Sequence, residues 1–496
     1  MDNTGRTVAK NAGVMMASQV ITWILALSLT IFLPRYLGAE AVGQYQLAIS
    51  IWAMMAIAIN FGMDVLLTKE VARAPERCNE LFSNSILLKL GIFILSMVVV
   101  GIYVRVAGYS KETIEIINIL SVSTLIWQVT FTSGAALQAF ERMEYISLSD
   151  ILGRAFATVI SIVALLLGYK VVVIAWINVV ASLISLAVQM YGLRKFYNFQ
   201  WMIRSDLFGW ILKSSLPYML VSGFLIAYNQ IDVIILSLLV DEKQIGFYSA
   251  ASRLYGTFLF IPTVLITAVF PVFARLYKSD SDALNKWMTR TFNLLLLVGI
   301  PIGLGVFAIA NPIIILLFGS DFSNSGPILA VMGIVIIITY LNAVLGKYFI
   351  SIDRQNLWTW VMGIAALLSI PLDLMLVPWC QNVFGIGALG GSFSYLITEG
   401  GMLIVGLIFM PKGVLGQKTA WYAVRALFAG LVMAYVAWLL RDLLILAPIL
   451  AGGIVYVALI ALLRVIPPED FDLLKIVSAK ILARLRREKP QIASSG

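Results

Sequence analysis

Asp232, Arg253, Asp373 and Glu399 fall within apolar runs long enough to cross a bilayer. A charge there costs roughly 3 kcal/mol or more, so it is kept where it faces a cavity or a partner. Arg253 lies two turns into its run, and Asp232 sits at nearly the same depth in the run before, because each is nine residues from the loop Asp241–Gln244. Two compatible readings follow. The two side chains neutralise each other, or Arg253 points into a cavity and grips a phosphate with its fixed guanidinium fork. Asp373 follows Ser369 by four residues, on one helix face, and Pro371 between them loosens the backbone hydrogen bonds. Oxygen ligands beside such a break are the material of a sodium site in a transporter. Glu399 is mid-run, with Thr398 and Ser394 close by. These carboxylates suit a coupling ion or a proton, with helix-to-helix hydrogen bonding as the alternative.

Asn60, Gln128, Gln138, Asn229, Gln230 and Asn342 would line a polar path suited to sugar hydroxyls, or else pack between helices. Asp64 and Lys69, near the end of the second run, and Lys89, at the start of the third, are expected to snorkel to head-group water as gate or lipid contacts.

The elements that must position these groups are membrane spans. With 61% apolar and 12% charged residues, against about 25% charged in an ordinary soluble domain, the chain has too little polar surface for a water-soluble globule of 496 residues. Stretches of about 20 apolar residues centre near Ile24, Met54, Leu95, Leu125, Val163, Val180, Ile226, Phe260, Val298, Ile336, Leu368, Ile397, Ala434 and Val457. Threaded as fourteen spans, they put 28 of the 35 lysines and arginines on one side and six in the odd-numbered loops, among them Arg35, which leaves Arg253 in no loop. By the positive-inside rule both termini are cytoplasmic. The expected fold is therefore all-α and polytopic, in the cell membrane, with the first span retained as a signal anchor.

The net charge of +9 reads as topology and contact with anionic lipid head groups. No basic run is interleaved with aromatics as a nucleic-acid platform requires, so no nucleic-acid partner is expected. The chain has no histidine, hence neither the commonest general base nor the commonest metal ligand, and no phosphate loop through which ATP could drive transport. Gly385, Gly387 and Gly390 match a dinucleotide pattern at the mouth of a span with no strand before it, where small residues serve helix packing. Cys78 and Cys380 have no metal or redox spacing. No enzyme and no organic cofactor are expected.

A repeat underlies the spans. Gly38 to Ala48 precedes span two and Val240 to Ala250 precedes span eight, with Gly43 and Tyr45 in register with Gly246 and Tyr248. Both spans end in Ala-Arg, at Ala72-Arg73 and Ala274-Arg275. Six spans, an even number, separate the copies, so the lobes are parallel repeats about an axis along the membrane normal, with a substrate cavity between them and access alternating by rocking. The expected units are a first lobe of spans one to six (residues 1–196), an interfacial linker (197–213), a second lobe of spans seven to twelve (214–410), spans thirteen and fourteen (411–466) and a cytoplasmic tail (467–496). Trp201 and Trp210 among basic residues give the linker the make-up of an amphipathic helix, and Phe471, Leu474, Val477, Ile481 and Leu485 give the tail an apolar stripe for the inner leaflet.

Leu33 to Tyr45, Asn60 to Arg73, Ile245 to Leu254 and Phe270 to Leu276 together resemble the polysaccharide-transporter family of lipid-linked oligosaccharide flippases, the Wzx-like branch of the multidrug/oligosaccharidyl-lipid/polysaccharide exporter superfamily. The resemblance runs through span twelve. It implies a two-lobed monomer that turns an isoprenoid diphosphate-linked oligosaccharide from the cytoplasmic to the outer leaflet, for surface glycan assembly beside glycosyltransferases or a glycan polymerase. It implies a cationic central cavity, to which Arg253, Arg35, Asp64, Lys89, Asn229, Gln230, Asn342 and Lys347 are assigned, and a groove of spans thirteen and fourteen for the lipid tail. In the related lipid II flippases, spans seven, eleven and twelve hold a sodium ion; Asp232, Ser369, Asp373 and Thr398 occupy similar places, with Glu399 as a further coupling candidate. Ser369 stands where those relatives have asparagine. The rival readings are a cation-coupled multidrug exporter of the same superfamily and an uncoupled scramblase; a glycan polymerase would need a larger outer loop than any present.

Overall fold

The computed structural model describes residues 3–198 and 200–465, with backbone alone at 3–20, 221, 225, 229 and 268. In lipid no water satisfies backbone groups, so long apolar runs close their own hydrogen bonds as helices. The helices are α1 (Asn3–Asn60), α2 (Met63–Arg73), α3 (Cys78–Ala107), α4 (Lys111–Ala139), α5 (Met143–Leu166), α6 (Val171–Phe196), α7 (Phe208–Leu239), α8 (Glu242–Phe258), α9 (Phe260–Ser279), α10 (Ser281–Phe318), α11 (Ser325–Ser351), α12 (Gln355–Phe384), α13 (Ala388–Ile408), α14 (Gln417–Leu439) and α15 (Leu446–Leu462). Among the described residues, eleven helical stretches, one of them joining α8 and α9, are long and apolar enough to cross a membrane, or twelve with the bent pair Ser205–Leu220 and Ser222–Tyr228. The protein is all-helical and multi-pass.

Helix α1 turns at Gly38, whose φ of 79° and ψ of 169° only glycine adopts without strain. Its two arms lie on either side of that point. α1 packs against α4 and α5 on one side and against α7 and α8 on the other, so it joins a first bundle, α1 to α6, to a second, α7 to α13. α14 lies on α10, and α15 on α14.

The repeat appears in three dimensions as a reciprocal contact. A Cβ on Gly43 would overlap the backbone carbonyl of Glu242, and one on Gly246 would overlap that of Ala39. Ala39 and Glu242 are themselves in register in the repeat, so the two helices meet as near-symmetric mates. Replacing Gly246 with valine is expected to force this end apart, read as loss of disulfide formation between cysteines placed at Gln46 and Ser249.

The linker differs from the expected helix. The described residues between Tyr197 and the short turn at Ser205–Leu207 have no regular structure, because α3 offers partners for an extended chain. Asn79 Oδ1 accepts from Gln200 N at 3.0 Å, Ser83 Oγ from Met202 N at 3.1 Å and Asn84 Oδ1 from Arg204 N at 2.9 Å. Arg204 also grips Asp206 at 2.7 Å and Glu80 at 3.5 Å; hydrogen bonding to Arg204 holds the Asp206 carboxyl below its ordinary range. Trp201 stays exposed, as an interfacial segment requires. The expected tail helix lies outside the described residues.

Candidate functional site between the bundles

At the Gly38 end the bundles are latched. Glu242, at the start of α8, accepts from Gln44 Nε2 at 2.9 Å and from Ser110 and Thr113 of the first bundle. Beside it the Tyr109 hydroxyl meets Ser237 Oγ at 2.7 Å. At the other end Gly62 lies against the backbone of Ser215 and Met219, and Lys69 Nζ reaches the Tyr218 hydroxyl at 3.3 Å.

Between these ends lies a polar seam. Arg253 Nη2 donates to Gln46 Oε1 at 3.2 Å and its Nε to Ser249 Oγ at 3.4 Å, while Ser249 Oγ donates to Gln46 Oε1 at 3.3 Å. One turn along, Ser50 Oγ donates to Gln230 Oε1 at 2.8 Å. Gln46 and Ser50 are in register with Ser249 and Arg253, so the seam is built from matching positions of the two copies. Arg253 is half-buried and its guanidinium meets neutral oxygens only in these bonds. Its expected pairing with Asp232 is absent: Asp232 turns away to the Tyr248 hydroxyl, 3.2 Å distant. A guanidinium in this setting keeps its capacity for an anion. Gln46 and Ser50 were not singled out in the sequence, although their spacing of four places both on one helix face beside the repeated glycine.

Asp232 finds instead the acid of α12. Asp232 on α7 and Asp373 on the packed neighbour α12 are buried close enough to act on each other, with Ser369 near Asp232 and Ser394 near Asp373. Asp373 is 0% exposed. Asp232 Oδ1 and both Asp373 oxygens are buried without a partner of their own in the hydrogen-bond network, an expensive arrangement for carboxylates. Thr398 is not aimed at them, since its hydroxyl donates to the Ser394 and Tyr395 carbonyls of its own helix. Ser369 likewise bonds back to Ala366 O, and Pro371 sits inside the helix as expected. The oxygens fit a monovalent cation or a shared proton.

Glu399 forms a separate buried site. It accepts from Tyr228 at 2.9 Å and from Asn342 Nδ2 at 2.7 Å. Asn342 thus joins α11 to α13 and is not free to line a path; its buried place fits the packing alternative.

The snorkelling expected of Lys89 does not occur. It is 2% exposed and donates to Asp64 Oδ1 at 2.7 Å and to Thr132 Oγ1 at 2.8 Å, inside the first bundle. Asp64 also accepts from Asn60 and Thr132. A buried acid from α2 within reach of the amine supplies what head-group water would have given, so the stem has no reason to climb. Asp64 faces a cavity of about 500 Å³ shared with Lys69, Gln138, Asp150 and Gln189. Arg35 is exposed and donates to Leu316 O at 3.2 Å, and Lys347 is exposed over the Phe270 ring; neither joins the seam contacts. The side chain of Asn229 lies outside the described residues.

The family model described as polysaccharide biosynthesis protein matches residues 8–277, and the MatE model matches 217–375. The chain is 20% identical over 363 residues to the probable low-salt glycan biosynthesis flippase of Haloferax volcanii, covering 70% of this chain and 72% of that one. It is 21% identical to the succinoglycan biosynthesis transport protein of Rhizobium meliloti, over 99% of this chain and 98% of that one. Among solved structures, the lipid II flippase MurJ in an inward closed conformation superposes with a TM-score of 0.72 at 17% identity, over 90% of this chain and 98% of that one. An inward-facing multidrug resistance MATE transporter superposes at 0.61, with 15% identity, over 78% and 93%. These last two establish the fold.

Proposed function

The chain belongs to the family of polysaccharide biosynthesis proteins, and from that premise we propose that it is a flippase for an isoprenoid diphosphate-linked oligosaccharide, moved from the cytoplasmic to the outer leaflet of the cell membrane by alternating access. The observation that carries this reading is Arg253, half-buried at the seam between the bundles, where matching positions of a repeat meet. Fourteen spans are the natural count. The described part of α1 from Ile21 to Asn60 is 40 residues, about 60 Å at 1.5 Å per residue and twice the hydrocarbon thickness, so its arms on either side of Gly38 are two spans. Helices α8 and α9 then act as one. The positive-inside rule puts the Gly62 end, and both termini, in the cytoplasm, and the Glu242 latch becomes an outer gate. α14 and α15 would take the lipid tail along their exposed apolar faces. The protein works as a monomer, with glycosyltransferases or a glycan polymerase supplying and consuming the substrate.

Asp232 and Asp373 would hold the coupling cation, a sodium ion or a proton, with Ser369 alongside. Asp373→Asn is expected to lower gradient-driven transport about tenfold and to leave whatever transport persists indifferent to the gradient. Separate sodium and pH gradients across proteoliposomes check this; undiminished response to both in the variant would remove the acid pair from coupling.

Alternating access has a direct test at the seam. Cysteines at Gln46 and Ser249 should form a disulfide on oxidation that stops transport, and reduction should restore it; Cys78 and Cys380 are buried. Full transport by the cross-linked protein would contradict rocking. The match of residues 217–375 to MatE favours one second reading, a cation-coupled multidrug exporter. An anionic substrate suits Arg253 better, and efflux of cationic dyes by the purified protein would reverse that preference.

A further inference from the structure

The most cationic cavity among those described lies away from the seam, at the Gly62 end, between the start of α10, the loop before α14 and the end of α15. Its volume is about 760 Å³, and its wall carries Lys286, Arg290, Lys418, Arg425 and Arg464. None of its described lining residues is acidic. Positive charge alone would be unremarkable on a face rich in lysine and arginine, but this is a built recess. Thr289 Oγ1 donates to Val414 O at 2.6 Å, tying the loop to α10, and Arg425 Nη1 donates to Leu463 O at 3.4 Å, tying α14 to the end of α15. Arg464 has a φ of 47°, the left-handed region that a β-carbon disfavours, where glycine is the common choice at a helix end. Inside, Asn293 Oδ1 is buried with no hydrogen-bond partner, an amide whose oxygen and nitrogen exchange by a flip.

We propose that this recess binds the phosphate of a lipid head group, a monoester, diester or diphosphate, at the membrane surface and separately from the seam. Lys286, Lys418, Arg425 and Arg464 line one pocket with the Asn293 amide and no described acid, a predominantly cationic set of donors that matches phosphate oxygens. Carboxylates would be served by fewer donors, and nucleic acid would find no run of stacking platforms. The inference needs only that the chain lies in a membrane; it does not depend on the flippase reading.

The test uses full-length protein purified in detergent and three probes: inorganic pyrophosphate, farnesyl diphosphate and dioleoyl phosphatidylglycerol. Retention is read by native mass spectrometry, in Arg253→Ala protein so that the seam contributes nothing. At least one lipid probe is expected to bind and to be displaced by pyrophosphate, with affinity falling as salt rises. The exposed pair K286Q/K418Q should weaken retention about tenfold or more, with unchanged thermal unfolding, whereas R194Q/K195Q, on the same face but outside the recess, should not. Preference for phosphatidylglycerol would identify a resident membrane phospholipid, and preference for farnesyl diphosphate a staging post for an isoprenoid carrier; either supports phosphate recognition. Equal weakening by both double variants would reduce the recess to general surface charge and overturn the proposal, as would binding of none of the probes.

Discussion

Arg253→Ala is expected to lose most surface glycan export while the protein still inserts and folds. A hydrogen bond to a charged partner contributes roughly 1.5 to 3 kcal/mol, so losing the guanidinium fork from a diphosphate should cut transport roughly tenfold to more than a hundredfold. Folding should survive, because the arginine is held by Gln46 and Ser249 through neutral contacts at 3.2 and 3.4 Å and no carboxylate is stranded when it leaves. Lysine keeps the charge but not the planar fork, so Arg253→Lys should retain part of the activity. Export measured in cells, beside membrane abundance of each variant, checks this ordering. Export by the alanine variant at the normal rate would remove Arg253 from substrate binding.

Lys89→Met carries the largest expected effect on stability. The ion pair with Asp64 lies inside the first bundle at 2.7 Å, with side-chain exposures of 3% and 16%. Removing one partner of a buried pair leaves the other charge uncompensated, at a cost of about 3 to 5 kcal/mol. Methionine fills the lysine stem without its amine, so the loss reports the charge rather than a cavity. The double change D64N/K89M should recover most of the stability, since the asparagine can still bond Asn60 and Thr132. Thermal unfolding of the purified variants gives the coupling directly. Equal destabilisation by the single and double variants would mean that packing, and not charge, sets the value of the site.

That the chain is a multi-pass set of apolar helices was legible because lipid imposes one length and one secondary structure. The repeat was legible for a sharper reason: Gly43 and Gly246 must let two backbones touch, and no other residue serves there. What escaped were partners on different helices. Lys89 and Asp64 are 25 residues apart, and nothing in either segment announces the other, so lysine in a span suggested snorkelling. Asp232 was within sequence reach of Arg253, yet helix rotation sends it to Tyr248 and toward Asp373. The linker has the composition of a helix, but Asn79, Ser83 and Asn84 on α3 hold its backbone extended, a tertiary effect that overrides local propensity. Gln46 and Ser50 are ordinary residues until the second copy of the repeat is laid against the first.

The central claim is that substrate crosses between the bundles past Arg253. Its most direct test is flipping of a fluorescent isoprenoid diphosphate-linked oligosaccharide in proteoliposomes, followed by quenching of the label that reaches the outer leaflet. The native protein should flip the lipid well above empty vesicles, the Q46C/S249C protein should do so only when reduced, and Arg253→Ala should be slowed about tenfold or more. Equal flipping by the native, oxidised and alanine proteins would contradict passage between the bundles.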